Sequence, residues 1–361
     1  MKEISASHWS RRQFLIGSAV VLSSGVVASL TGCSSKGGNN ASAETSQDNG
    51  STKPDTITMV WLPDVSSSDF TASREAIGAA IKAACGIEAT LLTTTDYNVA
   101  IEAIASGSAN MGLLGAEGYV QANKKNEKVL SAFTNSDAKG TLDEACYYSR
   151  ICVASENANQ YKDGSGYSID AIKGKSFSFV SATSTSGFKV PSSGIVEHFG
   201  LESNDELLKG GPFFSEVIFG NSHQGSVVNL LSGDAEAAAF DDVDVDMFLN
   251  LVSGEKNAIG AVYEVKADAE APFDTVRGKQ FTIIKATPVL NAPFCFNQGA
   301  ISDETRKKIV DYFCSSKVAN DKGIFADPED ENSKGLFEKE SPESCFLEVS
   351  DDWYDPIRNM G

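Results

Sequence analysis

The chain is short of basic residues and lacks several motifs that would assign it a chemistry. Acidic residues outnumber basic ones by 49 to 30 among 361 residues, so the net charge is −19. Nucleic-acid binding needs a basic surface to neutralise phosphates, and no basic stripe occurs here. The hydrolase elbow G-x-S-x-G is absent, and the seven cysteines show no zinc-site spacing. We therefore expect no nucleic-acid partner, no metal, no cofactor and no enzymatic activity.

The sequence also lacks an apolar run suited to a transmembrane helix. The run 16–30 is too short and too rich in small residues for that role. It follows Arg11-Arg12, a pair that resembles a twin-arginine export signal. It ends in Leu30-Thr31-Gly32-Cys33, which resembles a bacterial lipobox and implies cleavage before Cys33 and lipidation of its sulfur. The alternative is a plain secretory signal with an incidental cysteine.

Residues 33–54 are polar, rich in glycine and serine, and free of apolar periodicity. This composition predicts a flexible tether with a reach of about 25 Å. Removal of residues 1–32 takes away three basic groups and one acid, so the mature net charge becomes −21. We expect an exported body held by a lipid anchor at the outer face of the cytoplasmic membrane.

Beyond the tether, strand-like and helix-like segments alternate, which predicts α/β architecture with mostly parallel sheets flanked by helices. The length suits two domains of roughly 150 residues each. The predicted strands are 56–62, 87–93, 110–115, 147–154, 176–180, 216–219, 235–240 and 281–285. The predicted helices are 73–84, 97–105, 188–199, 223–231, 243–251 and 302–313.

Six cysteines remain after Cys33 in an exported, potentially oxidising setting. Cys146 and Cys152 lie on one predicted strand, roughly 20 Å apart, and cannot pair with each other. Cys314 and Cys345, both near the C-terminus, are the pair we expect to form a disulfide.

Four consecutive hydroxyl residues followed by a glycine, 183–187, stand between a predicted strand and a predicted helix. The first turn of a helix leaves backbone N–H groups unpaired and carries partial positive charge. Hydroxyls add donors there, and Gly187 allows close backbone approach. This arrangement predicts a site for a small oxyanion. The alternative is a Ser/Thr-rich turn with an ordinary N-cap.

A second strand-to-helix junction carries Ser222 as the predicted N-cap and His223 in the first turn. In an open parallel sheet both junctions lie at the edge where ligands bind. Asp241 and Asp242 follow the next strand at the same level. A carboxylate there accepts a hydrogen bond from an O–H, which favours a monoprotonated oxyanion over sulfate. The alternative for His223 is an exposed histidine near a helix cap. The alternative for Asp241 and Asp242 is a solvated acidic helix start.

These motifs resemble the substrate-binding lipoproteins of phosphate, phosphite and phosphonate ABC importers over roughly residues 56–315. The resemblance depends on Ser184-Thr185-Ser186-Gly187 with Pro191 behind it, and on Ser222-His223. Asp96-Tyr97 at a helix start and Asn291-Ala292-Pro293 support it. It implies that Ser184, Thr185 and Ser186 bind the phosphorus oxyanion with His223 opposite.

The same resemblance implies further ligand contacts and a two-lobed periplasmic-binding-protein fold of type 2. Tyr97 and Tyr147 would donate from the first lobe, with Tyr148 an equal match for Tyr147. Lobe 1 would comprise 55–150 and 286–345, lobe 2 would comprise 151–285, and 346–361 would form a loose tail. The hinge would lie near 151–154 and 281–286.

Phosphonate receptors that hold an aminoalkyl group present an acid after the alanine run, where this chain has Val243. That departure leaves phosphate, phosphite or a small alkylphosphonate as the ligand. A monomer that delivers its ligand to a permease and ATPase complex is expected. A same-fold receptor for a sulfonate, a nitrogenous base or a thiamine precursor is one alternative, and an enzyme on this fold is another.

Overall fold

A computed structural model describes residues 55–66, 70–164, 166–327, 333 and 335–360. The predicted export signal, the lipobox cysteine and the predicted tether lie outside these residues. No helix in the described ranges is long and apolar enough to cross a membrane.

The strands follow the chain in the order β1 (Thr56–Trp61), β2 (Glu88–Thr93), β3 (Met111–Leu113), β4 (Val129–Asn135), β5 (Cys146–Ala154), β6 (Lys162–Asp163), β7 (Gly166–Tyr167), β8 (Ser176–Phe179), β9 (Glu216–Phe219), β10 (Ala237–Asp241), β11 (Leu249–Ser253), β12 (Val262–Val265), β13 (Gln280–Leu290), β14 (Phe294–Asn297), β15 (Phe325–Ala326), β16 (Phe337–Glu338) and β17 (Phe346–Glu348). The α-helices are α1 (Thr71–Cys85), α2 (Tyr97–Ser106), α3 (Ala116–Lys125), α4 (Val190–Phe199), α5 (His223–Ser232), α6 (Asp303–Phe313), α7 (Ser316–Ala319) and α8 (Asp355–Arg358).

Two large sheets define two lobes. The first lobe contains a six-stranded sheet in the order β17-β4-β14-β3-β1-β2, and the second a seven-stranded sheet in the order β11-β12-β13-β5-β10-β8-β9. The two-lobed α/β architecture is therefore confirmed. Each sheet is mixed rather than mostly parallel: β1 pairs in parallel with β2 and β3, and β8 with β9 and β10, while the other pairs are antiparallel. Strands distant in sequence enter each sheet antiparallel, which a local pattern of residues does not show.

The chain passes between the two sheets at the segments 136–145 and 291–293. The expected hinge residues 151–154 and 281–286 lie instead inside the second sheet, where β5 and β13 pair along most of their length. The strand boundary was misplaced because β13 continues to Leu290. We therefore move the expected hinge to the two crossing segments.

The C-terminal residues are an ordered part of the first lobe rather than a loose tail. Strand β17 pairs with β4, and Tyr354 and Ile357 are buried in the first-lobe core. The sequence of this segment is rich in acidic residues and has few apolar ones, so it did not predict a buried element. Helix α3 and strand β4 lie between the predicted strands 110–115 and 147–154, a stretch for which the sequence predicted neither a helix nor a strand.

The predicted helix 243–251 is wrong. A 3₁₀ turn, Asp246–Phe248, is followed by β11, which pairs with β12 at the edge of the second sheet. Tertiary contacts override the helical pattern here, since Phe248 and Leu249 pack in the second-lobe core while Leu251 and Val252 are exposed. The six described cysteines are free thiols, so the expected Cys314–Cys345 disulfide is not formed in this structure.

A buried ion pair joins β5 to the turn that precedes β11 in the second sheet. The Arg150 guanidinium, on β5, is fully buried and donates to both oxygens of Asp246 at 2.5 and 2.9 Å. It also donates to Asn257 at 2.6 Å and lies over the ring of Tyr263. Its neighbour Ser149 donates to the carbonyl of Ser186 at 2.6 Å, so this strand supports the hydroxyl-rich segment.

Asp246→Ala should lower the free energy of unfolding by about 3 kcal/mol, because it leaves the buried Arg150 charge without its carboxylate. Asp311→Ala is the matched control, since Asp311 pairs with Lys307 on an exposed helix face. There the loss should stay near 0.5 kcal/mol or below, about the value of an exposed pair. Urea unfolding of both variants checks this, and equal losses would contradict it.

Candidate functional site

The hydroxyl-rich segment forms a tight turn between β8 and α4. The side-chain oxygen of Ser184 accepts a hydrogen bond from the Gly187 N–H at 3.0 Å, so Ser184 is the N-cap of this turn. Residues Thr185–Lys189 form one π-helical turn before α4 begins. A Cβ at Gly187 would lie 2.3 Å from Cγ2 of Val180, so this position requires glycine. The turn thus holds the nearly fully buried hydroxyls of residues 184–186 at the end of the sheet.

His223 begins α5, and a backbone hydrogen bond orients its imidazole. Ser222 caps the helix by accepting from the Gly225 N–H at 3.0 Å. The backbone N–H of Asp241, at the end of β10, donates to Nδ1 of His223 at 2.9 Å. Because Nδ1 is an acceptor, the neutral ring carries its proton on Nε2. Nε2 lies 3.3 Å from Oδ2 of Asp241 and 3.5 Å from Oγ of Ser184.

Asp241 lies beside these donors rather than in a solvated helix start. Its Oδ2 accepts a hydrogen bond from the Ser186 hydroxyl at 3.2 Å. Burial raises the pKa of Asp241 well above its usual range, and the charges of Asp242 and Asp64 add to the rise. Burial and the charge of Asp241 raise the pKa of the half-buried Asp244 in the same direction. A protonated carboxyl can donate to an anion as well as accept from one.

Asp64, which follows β1 in the first lobe, is a site residue that the sequence did not reveal. The Tyr97 hydroxyl donates to its Oδ2, and the backbone N–H of His223 donates to its Oδ1 at 2.8 Å. Burial and the charge of Asp64 raise the pKa of Tyr97 well above its usual range, so the phenol keeps its proton. The available signal was an acid just after a predicted strand, which does not distinguish a site residue from a surface turn.

A matching contact crosses the cleft in the opposite direction. The N-cap of α3 is Gly115, which offers no side chain to the helix start. Oγ1 of Thr185, from the second lobe, accepts the backbone N–H of Glu117 at 2.8 Å instead. A Cβ at Gly115 would lie 2.8 Å from that oxygen. Thr185 therefore contacts the first lobe directly as well as facing the cleft.

The lobes enclose a cavity of about 120 Å³. Its second-lobe side is mostly polar and is lined by Tyr147, Ser184, Thr185, Ser186, His223, Asp241, Val243 and Asp244. Its first-lobe side is mostly apolar and is lined by Trp61, Leu62, Leu113, Leu114, Gly115, Ala292, Leu336 and Phe337, together with Asp64, Tyr97, Asn135 and Asn291. For scale, an apolar cavity of about 150 Å³ holds benzene. The site therefore suits a ligand of about five or six heavy atoms.

The structure brings seven of the eight predicted ligand residues to this cavity: Tyr97, Tyr147, Ser184, Thr185, Ser186, His223 and Asp241. Asp242 is held elsewhere, since its carboxylate accepts from the Tyr148 N–H at 2.9 Å and from the Asn257 side chain at 2.8 Å. Tyr147 lines the cavity and Tyr148 does not. On an extended strand, neighbouring side chains point to opposite faces, which explains both outcomes.

Asp64, His223 and Asp244 each offer one atom suited to a metal, and these atoms lie within 4.8 Å of one another. Both oxygens of Asp64 already accept hydrogen bonds, from Tyr97 and from the start of α5. We therefore assign the three residues to the polar wall of the cavity.

Known proteins resemble this chain over most of the two lobes. Residues 59–354 match the family described as the periplasmic substrate-binding protein of the phosphonate ABC transporter. The phosphate-import protein PhnD of Mycolicibacterium smegmatis is 26% identical over 193 residues, which are 54% of this chain and 57% of that protein. The aligned part thus spans little more than half the length of that relative.

Two solved structures share the fold. A binding protein component of an ABC phosphonate transporter from Pseudomonas aeruginosa has a TM-score of 0.59 at 15% identity, covering 86% of each chain. PhnD1 from Prochlorococcus marinus, in complex with methylphosphonate, has a TM-score of 0.60 at 14% identity, covering 86% of this chain and 98% of that one. The type 2 two-lobed fold is confirmed, and the chain belongs to the periplasmic substrate-binding proteins of phosphonate ABC transporters.

Proposed function

We propose that this protein binds a small alkylphosphonate between its lobes and delivers it to an ABC permease and its ATPase. The observation that supports this ligand most directly is the division of the cavity. Hydroxyl and imidazole donors lie on the second-lobe side, and apolar side chains lie on most of the first-lobe side. A phosphonate has the same division, with oxygens at one end and carbon at the other.

The oxyanion is bound by local donors. The hydroxyls of Ser184, Thr185 and Ser186 and the Nε2–H of His223 converge at the end of the second sheet. Hydrogen bonds to a charged group contribute about 1.5–3 kcal/mol each. Such local contacts are required because the net charge of the whole chain, −19, repels anions, although salt screens this field beyond about 8 Å.

The carbon substituent packs against the first lobe, where Leu62, Leu114 and Phe337 line the cavity. Inorganic phosphate would direct a fourth oxygen toward this wall. Burial of a polar atom without a partner costs about 1–3 kcal/mol in proteins. Methylphosphonate should therefore bind more tightly than phosphate, while phosphite remains small enough to enter.

Sulfate should be excluded by the acids of the cavity. Asp241 accepts a hydrogen bond from Ser186 and has a raised pKa. It can exchange a proton with a phosphonate oxygen, whereas sulfate brings two full charges and no proton at neutral pH.

Binding and release without turnover is the proposed activity. No residue of the hydroxyl segment is singled out as a nucleophile: Ser184 accepts from Gly187 as a cap, and the His223 ring accepts from a backbone N–H. The enzyme alternative requires release of inorganic phosphate from a phosphonate by purified protein. The alternative of a sulfonate, base or thiamine-precursor receptor requires binding of that ligand class in preference to methylphosphonate.

We also propose that the exported protein is a lipid-anchored monomer. The lipobox-like residues 30–33 and the polar residues that follow support the anchor. The lobes would move about the crossing segments 136–145 and 291–293 as a ligand enters.

Ser186→Ala should weaken methylphosphonate binding about tenfold to a hundredfold, because one hydrogen bond to the anion is lost at 1.4 kcal/mol per decade. Isothermal titration calorimetry measures this. Ser181→Ala, in the same loop but outside the cavity lining, is the matched control and should bind as wild type does. Wild-type protein should bind phosphate at least tenfold less tightly and sulfate not detectably. Comparable sulfate affinity would refute the assignment.

Cys33→Ala should abolish lipidation and move the protein from membrane to soluble fractions, because the acylated sulfur is lost. Fractionation and the mass of the mature N-terminus check this outcome. Cys85→Ala, which changes a cysteine of the folded body, is the control and should stay in the membrane fraction. Unchanged fractionation of the Cys33 variant would contradict the anchor.

A further inference from the structure

Asp64 contacts two groups that the sequence assigned to the ligand site. Its carboxylate accepts from the Tyr97 hydroxyl and, at 2.8 Å, from the backbone N–H of His223. Tyr97 has a single proton to donate, and the His223 N–H is one of the unpaired donors at the start of α5. A carboxylate from the first lobe thus accepts hydrogen bonds from two donors that line or border the cavity.

The position of Asp64 is well determined by further contacts. The side chain is 4% exposed and lines the cavity. The amide of Gln224 donates to the Asp64 carbonyl at 3.1 Å and to the Asp244 carbonyl at 2.8 Å. The segment after β1 is therefore joined to α5 by both its backbone and its side chain.

We propose that Asp64 is a specificity-determining residue, a tethered anion at the start of α5 that limits how much negative charge a ligand can bring. This inference rests on the proposed function, since it concerns the same cavity. Asp64 lies outside the hydroxyl and histidine motifs, and the proposal assigns its side chain a role in excluding doubly charged anions.

The effect follows from charge. Two like charges in a partly desolvated cavity repel each other much more strongly than in water, because the effective dielectric constant there is lower. A dianion in the cavity meets that repulsion twice, and a monoanion once. The carboxylate also occupies donors that a third or fourth ligand oxygen would otherwise use. Monoanionic alkylphosphonates are therefore tolerated, and sulfate is not.

Asp64 also holds the lobes together. It accepts the His223 N–H at the start of the second-lobe helix α5, beside the N-cap Ser222, while Thr185 of the second lobe accepts the Glu117 N–H at the start of the first-lobe helix α3 at 2.8 Å. Each helix start thus donates one backbone hydrogen bond to a side chain of the opposite lobe. The effect of an Asp64 substitution on ligand selectivity must therefore be measured separately from its effect on lobe closure.

Asp64→Asn removes the charge and keeps an oxygen that can accept from the His223 N–H. Asp64→Ala removes both. Asp234→Asn is the matched control, with the same change in net charge on an exposed loop after α5. The wild type and the three variants should be titrated with methylphosphonate by calorimetry, alone and in competition with sulfate. Small-angle scattering without ligand should accompany them, with urea unfolding to verify that each variant is folded.

In Asp64→Asn, sulfate should become a measurable competitor, with at least a tenfold gain in affinity over wild type. Methylphosphonate affinity should change severalfold less, so discrimination between the two ligands falls. Asp64→Ala should show a larger radius of gyration without ligand than wild type, and Asp234→Asn should match wild type in every measurement. Unchanged discrimination in a folded Asp64→Asn protein, or a parallel loss of both affinities, would overturn the proposal.

This test separates the two inferences. Absence of methylphosphonate binding by the wild-type protein contradicts the proposed ligand, whatever Asp64 does. If methylphosphonate binds as proposed and the Asp64→Asn protein still excludes sulfate, only the role of Asp64 is contradicted.

Discussion

The hydrogen bond from the Asp241 backbone N–H to Nδ1 of His223 determines which atom of the imidazole faces the cavity. It joins the end of β10 to the first turn of α5 at 2.9 Å and leaves the ring proton on Nε2. That nitrogen then lies within 3.5 Å of Ser184. The donor is a backbone N–H, so the orientation of the imidazole depends on how β10 and α5 are placed and not on the side chain of residue 241. This bond places the imidazole beside the hydroxyl cluster, where we propose that the anion binds.

Helix starts supply the other constraint. Four N–H groups at each helix start lack partners within the helix, and in this protein two such groups donate to side chains of the opposite lobe. Asp64 serves α5 and Thr185 serves α3. Lys256 and Glu338, one from each lobe, add an exposed ion pair at 2.9 Å. In the function we propose, these N–H groups and the donors beside them serve both lobe closure and ligand binding, so affinity and selectivity would depend on which of them the acids of the cavity occupy.

The residues that the sequence predicted correctly share a local cause. Helix caps, strand ends and the hydroxyl run can be recognised from residues adjacent in the sequence. The sequence therefore placed four residues at helix starts: Tyr97, Ser184, Ser222 and His223. What could not be predicted depends on distant pairing. The antiparallel entry of β13 and β14, the edge strand β11 and the ordered C-terminus require partners far away in the chain. Asp64 was missed for the same reason, because its two donors come from residues 33 and 159 positions away.

A crystal structure of the protein with methylphosphonate tests the central claim most directly. The account predicts phosphonate oxygens within hydrogen-bonding distance of the hydroxyls of residues 184–186 and of Nε2 of His223. The methyl carbon should lie toward Leu62, Leu114 and Phe337. A phosphonate bound with its carbon toward the hydroxyls, or bound outside this cavity, would contradict the account.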